Sequence, residues 1–139
     1  MYMNSFGKTI DLLHRAMSAN TVRRSVIANN MANADVPNFK RSMVNFESEL
    51  KRALDTEKQK PALELNQTNP LHFSNYKERD YRDVQIRRVL DYANTYNNNG
   101  NNVDPEQELT ASVENQMTLE MLFQAASFEF SQVNQVLRN

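Results

Sequence analysis

Cysteine and tryptophan are absent from the 139 residues, and glycine occurs only twice, at Gly7 and Gly100. Without thiols there are no disulfides, thiolate metal sites or cysteine nucleophiles. Two distant glycines cannot build a glycine-rich phosphate loop. No apolar run approaches the roughly 20 residues of a helical membrane span. Neither charge sign dominates: 16 Lys and Arg stand against 17 Asp and Glu, a formal net charge of -1. A nucleic-acid binder normally shows a basic surplus, so no nucleic-acid partner and no direct membrane span are expected. The opening MYMNSFGKTIDLLHRAM lacks the basic start, uninterrupted apolar stretch and small-residue cleavage site of a signal peptide. Any passage out of the cytoplasm is expected to use no cleaved signal.

Chemistry is equally sparse. His14 and His72 are isolated, with no carboxylate three or four residues on, so no metal site is expected. Glu47 and Glu49, and likewise Glu106 and Glu108, are two residues apart. On a helix such pairs point to different sides and make no acid/base dyad. No cofactor and no enzymatic activity are expected.

What the chain does have is helical periodicity at both ends. The length suits one domain, and three zones can be drawn within it: 1–34, 35–103 and 104–139. In the first, Phe6, Ile10, Leu13, Met17, Ile27 and Met31 follow a 3-4 rhythm, with Asn20 and Arg24 in the skipped places. This is the spacing of a coiled-coil seam. In the last, Asp104-Pro105-Glu106-Gln107 predicts a helix start, with Asp as N-cap and Pro in the first turn. A seam then runs Leu109, Ser112, Gln116, Leu119, Phe123, Ala126, Phe130, Val133, Leu137, beside a second row of Val113, Met117, Met121 and Phe128. One antiparallel partner covers one stripe, so the surplus asks for further neighbours.

The middle zone is irregular. Met43, Phe46, Leu50 and Leu54 predict a short amphipathic helix. Ala62–Leu65 and Asp83–Arg87 alternate and predict short strands of a hairpin-like flap. Asn69-Pro70 reads as a turn, and Asn97–Asn102 as a polar loop with no core. The fold class is therefore mainly α: long terminal helices paired as an antiparallel coiled-coil hairpin, with an irregular central insert. Such a pair gains stability by packing into larger bundles, which suggests an assembly subunit.

The segment Ser25–Leu50, SVIANNMANADVPNFKRSMVNFESEL, carries an Ala-Asn-Asn-x-Ala-Asn core, a Pro-containing turn and a basic pair, Lys40-Arg41. It resembles the signature of the flagellar axial proteins, the rod and hook family. Val36-Pro37-Asn38-Phe39 replaces that family's commoner Thr-Pro-Gly-Tyr turn; Asn38 can take the left-handed conformation that Gly supplies there, and Phe39 keeps the aromatic. Gly100–Glu108, the run ENQMTLEMLFQAASFEF, the Thr68–His72 element and the short length are similar to the proximal rod members. The resemblance implies a structural subunit of the flagellar basal-body rod, exported through the type III channel to the periplasmic space. A subunit of this kind is expected to belong to the drive shaft between rotor ring and hook. Implied partners are other rod proteins, copies of itself, the rod-base adaptor FliE, and the MS-ring and export-gate proteins.

Residues expected at subunit interfaces are Leu13, Met17, Ile27 and Met31 on the first helix, and Leu119, Leu122, Phe123, Phe130, Val133 and Leu137 on the last. Asn29, Asn30 and Asn33, with Pro37 and Phe39, leave two roles open. They fix register between subunits, because a buried amide is satisfied in only one alignment, or they cap the helix and turn the chain within one subunit. The second function class in contention is a soluble helical adaptor or chaperone-like module, whose apolar stripe serves one partner.

Overall fold

The structure, a computed structural model, describes residues 5–58, 79–92 and 98–138. The element order is α1 (Ser5–Ala32), β1 (Ser42–Asn45), α2 (Glu47–Lys58), a single 3-10 turn (Tyr81–Asp83), β2 (Arg87–Leu90) and α3 (Pro105–Leu137). Two compact units are present, one from residues 1–44 with 88–139, the other from 45–87. No helix among the described residues is long and apolar enough to cross a membrane.

In the first unit, the 28-residue α1 and the 33-residue α3 run antiparallel. The Phe6 and Phe130 rings meet edge to face at 5.9 Å. Farther along α1, the Asn115 Nδ2 donates to the Asn20 carbonyl at 3.2 Å. At the far end the Asn30 Nδ2 donates to the Glu108 Oε2 at 3.2 Å. α1 tightens as it ends: the Asn33 N–H donates to the Asn30 carbonyl at 3.1 Å and the Ala34 N–H to the Met31 carbonyl at 3.3 Å. These three-residue closures absorb carbonyls that a helix end leaves unmatched. α3 starts where its local signals place it. The Asp104 Oδ1 accepts from the Glu106 N–H at 2.9 Å and from the Gln107 N–H at 3.4 Å, with Pro105 in the first turn.

The seam phase departs from expectation along α3 and, in the same sense, only near the end of α1, where Phe6, Ile10, Leu13, Met17, Asn20 and Ile27 are covered as predicted. Ser112, Leu119, Ala126 and Val133 are partly covered, as predicted. Leu109, Gln116, Phe123, Phe130 and Leu137 instead lie exposed, and the residues one place earlier, Glu108, Asn115, Leu122 and Glu129, are the covered ones. In α1, Leu13, Asn20 and Ile27 are covered, whereas Arg24 and Met31 are exposed and Arg23 and Asn30 are not. A polar residue can hold a seam position when the facing element satisfies it. Asn30 and Glu108 do so here, and their apolar neighbours turn outward.

β1 and β2 pair as a two-stranded antiparallel sheet. The small sheet expected in the central insert is present, and its strands are placed differently among the described residues. The strand read at Asp83–Arg87 begins only at Arg87, because Tyr81–Asp83 closes a 3-10 turn whose N-cap Asp80 accepts from the Arg82 N–H. Its partner is Ser42–Asn45. Met43, expected on the short helix, belongs to that strand, and the helix starts at Glu47. Leu50 donates its N–H to the Phe46 carbonyl at 2.9 Å, so Phe46 only opens the helix. Ala62–Leu65, Asn69-Pro70, Thr68–His72 and Asn97 lie outside the described residues. In the second unit, α2 packs with the 3-10 turn, and Phe46, Ala53 and Tyr81 are buried.

Candidate assembly site

The end of α1 and the start of α3 meet in a polar clasp. Asn30 is 1% exposed, and its amide is used on both sides. The Nδ2 donates to the Ser42 carbonyl at 2.8 Å and to Glu108, while the Oδ1 accepts from the Ser42 N–H at 3.0 Å. Asn30 therefore pairs with the Ser42 backbone as a strand would. Glu108 is fully buried and takes a second bond from the Arg41 Nε. Such a buried carboxylate needs both partners, since an uncompensated charge there is costly. The acidic partner of Arg41 thus lies in its own chain. Its sequence neighbour Lys40 donates to the Gly100 carbonyl at 2.7 Å. Glu106 and Glu108 do point to different sides, one exposed and the other buried.

The loop read as coreless is the centre of this clasp. Asn101 and Val103 are fully buried and Asn102 is 5% exposed. The Asn101 Nδ2 lies 3.0 Å from the Asn33 carbonyl and 2.8 Å from the Ala34 and Val36 carbonyls. It serves as a C-cap for α1 supplied from 65 to 68 residues away. Its Oδ1 accepts from the Val103 N–H at 2.7 Å. The Asn102 Oδ1 accepts from the Arg41 N–H at 2.6 Å, and its Nδ2 donates to the Asp91 carbonyl at 2.7 Å. One side chain thereby bridges the chain entering β1 and the chain leaving β2. A run of Asn looks like a solvated turn when read alone. The missing signal is its pairing with carbonyls that only a distant helix end leaves free.

Two positive-φ residues shape the turn. Asn38 has φ 61 and Gly100 φ 79, so Asn38 adopts the left-handed conformation expected of it. Its N–H donates to the Asn99 carbonyl at 3.0 Å. A Cβ on Gly100 would lie 2.7 Å from the Asn38 Oδ1, which leaves that position to glycine.

The remaining sequence-predicted residues are dispersed. The Asn33 Nδ2 donates to the Asn29 carbonyl at 2.7 Å, and the Asn29 Oδ1 accepts from the Arg88 Nη2 at 3.0 Å. Pro37 is exposed and Phe39 partly covered. Leu13, Met17, Leu119, Leu122 and Val133 are partly covered and Ile27 buried, all on the paired helices. Met31, Phe123, Phe130 and Leu137 are 40%, 59%, 52% and 77% exposed. On α3, Leu109, Val113, Met117, Met121 and Phe128 are also exposed, at 47% to 61%. Midway along the seam, the Asn20 Oδ1 and Asn115 Oδ1 are buried with no hydrogen-bond partner. Sequence reading placed Asn20 in the seam but missed Asn115 as its counterpart. No cluster of His, Cys, Asp and Glu among the described residues could hold a metal ion.

Residues 10–40, which cover most of α1 and its exit turn, match the family described as flagella basal body rod protein. The whole chain is similar to curated relatives of one kind. It is 43% identical to the flagellar basal body rod protein FlgB of Borreliella burgdorferi, with 98% of this chain and 100% of the relative covered. It is 41% identical to that of Borrelia hermsii over the same shares. It is 32% identical to that of Bacillus subtilis, with 97% of each chain covered. The Asn-rich end of α1, which these comparisons include, is the element that the clasp holds against α3. The chain belongs to the FlgB family of flagellar basal body rod proteins.

Proposed function

We propose that the chain is a structural subunit of the proximal rod, part of the drive shaft that carries torque from rotor ring to hook, and that it performs no chemistry. The single observation that carries this reading is the outer surface of α3. Leu109, Val113, Met117, Met121, Phe123 and Phe128 are 47% to 61% exposed along one helix. Complete burial of a large apolar side chain is worth about 1.5–3 kcal/mol, so covering the exposed half of six would add on the order of 5–9 kcal/mol. Docking two chains costs on the order of 4–15 kcal/mol in lost freedom. One such contact is near break-even, and several neighbours around each subunit make a stiff shaft. The clasp contributes by fixing α1 to α3, so that load entering one helix is shared with the other.

Copies of the chain and other rod proteins are the proposed neighbours. The adaptor FliE, the MS ring and the export-gate proteins lie at the rod base in this reading. The place of work is the basal-body rod in the periplasmic space, reached by type III export. The interface residues named from the sequence belong to this proposal. Of them, Met31, Phe123, Phe130 and Leu137 are available to neighbours, while Asn30 is engaged within its own chain.

The test is concentration dependence. Helix content by circular dichroism and sedimentation coefficient should rise together as the purified chain is concentrated, because binding stabilises the folded form by mass action. A fully helical monomer that stays monomeric at high concentration and ignores other rod proteins would overturn the reading.

A further inference from the structure

Asn99 is followed by Gly100, and no other asparagine of the chain is followed by glycine. An asparagine side chain can be attacked by the nitrogen of the next peptide link. Glycine, with no Cβ, leaves that nitrogen least shielded. The fold leaves the pair open to this reaction. Asn99 is exposed, in contrast to the buried Asn101 and Asn102 beside it. Its Oδ1 accepts from the Asn101 N–H at 3.0 Å, an Asx turn. The ring closed by that bond contains both the Asn99 Cγ and the Gly100 nitrogen, and the bond draws electron density from Cγ. Neither the Asn99 Nδ2, which is the leaving group, nor the Gly100 N–H forms a hydrogen bond among the described residues.

We propose that Asn99 is a site of spontaneous deamidation, and that its isoaspartate product opens the clasp. The Gly100 nitrogen gives its proton to solvent base and bonds to Cγ. The Cγ–Nδ2 bond breaks, and Nδ2 departs as ammonia with a proton from water. The cyclic succinimide that results takes up one water. Cleavage of its bond between Cγ and nitrogen gives aspartate. Cleavage of its bond between the main-chain carbonyl carbon and nitrogen gives isoaspartate. No oxidant or reductant takes part.

The two products meet the clasp differently. Aspartate leaves the main chain as it was and still accepts from the Asn101 N–H. Isoaspartate adds a methylene to the main chain between two anchors. On one side the Asn99 carbonyl accepts from the Asn38 N–H at 3.0 Å. On the other, the Gly100 carbonyl accepts from Lys40 at 2.7 Å, and Asn101 is fully buried against the end of α1. Gly100 has no room toward Asn38, whose Oδ1 would lie 2.7 Å from a Cβ there. The added length therefore draws Asn101 away from the α1 carbonyls. This inference stands apart from the rod-subunit reading.

The full chain is aged at mildly alkaline pH in heavy-oxygen water, at one concentration that gives full helix content, and mapped by peptide mass spectrometry. Conversion with uptake of heavy oxygen is expected at Asn99 several-fold faster than at its exposed neighbour Asn98, and faster as pH is raised. Asn99→Gln, whose longer side chain closes the ring poorly, should stay unconverted. Amide exchange at residues 30–34 and 103–108 then tests the consequence. In the aged chain, a fraction of molecules equal to the isoaspartate share should exchange several-fold faster there. Asn99→Asp should match the fresh chain, and aged Asn99→Gln should match its own unaged sample. Conversion no faster at Asn99 than at Asn98 overturns the site. An aged chain that exchanges like the fresh one, or Asn99→Asp exchanging as fast as the isoaspartate fraction, overturns the opening of the clasp.

Discussion

Asn101 offers the sharpest test of the clasp. Its Nδ2 reaches three carbonyls, those of Asn33, Ala34 and Val36, but an amide nitrogen has only two hydrogens to share. The Asn33 and Val36 carbonyls also accept from the Val36 and Phe39 N–H groups, at 3.2 and 3.3 Å. Asn101→Ala therefore deprives chiefly the Ala34 carbonyl, and with it the buried Val103 N–H that donates to the Asn101 Oδ1. Leaving a buried polar group unmatched costs about 1–3 kcal/mol. Ala34 is only partly covered, so the sum is about 2–4 kcal/mol. Amide hydrogen exchange at one fixed concentration, high enough for full helix content, is the suitable assay, because it reads local opening. Exchange at residues 30–34 and 103–108 should accelerate roughly 30- to 700-fold, at one factor of ten per 1.4 kcal/mol. Asn98→Ala, at an exposed position of the same loop, is the control. If those amides in Asn101→Ala exchange no faster than in the control, the clasp is not what secures the end of α1.

Three further outcomes follow from the same geometry. Gly100→Ala places a Cβ against the Asn38 side chain at positive φ and should cost about 1–2 kcal/mol. Asn38→Gly should recover part of that loss in a double-mutant cycle read by thermal unfolding at fixed concentration. Glu108→Ala should destabilise by about 3 kcal/mol, the lower end for breaking a buried pair, because Arg41 is 17% exposed and can reach water. Glu108→Gln should cost less, and equal melting of the two would show that the charge is immaterial. Asn115→Leu removes a buried oxygen without a partner and should be neutral or stabilising for the hairpin by chemical denaturation. A loss of about 1 kcal/mol or more would show that its bond to the Asn20 carbonyl outweighs the unmatched atom.

The extent of α1, the start of α3 and membership of the axial family were legible in the residues. Asp104 caps and Pro105 opens α3 through bonds that span two or three residues, and the 3-4 rhythm needs no knowledge of a partner. The left-handed Asn38 was legible for the same reason, since a Pro-Asn turn is decided locally. Only the tertiary structure decided the phase of the seam, the partner of β2 and the burial of residues 101–103. α3 has more apolar positions than α1 can cover, so periodicity alone could not tell the inward row of Glu108, Asn115 and Leu122 from the outward row of Leu109, Gln116 and Phe123. An Asn or Glu reads as solvent-facing until its bonding partners arrive from a remote stretch of chain. Here those partners are the carbonyls at the end of α1, the Ser42 backbone and the Arg41 guanidinium.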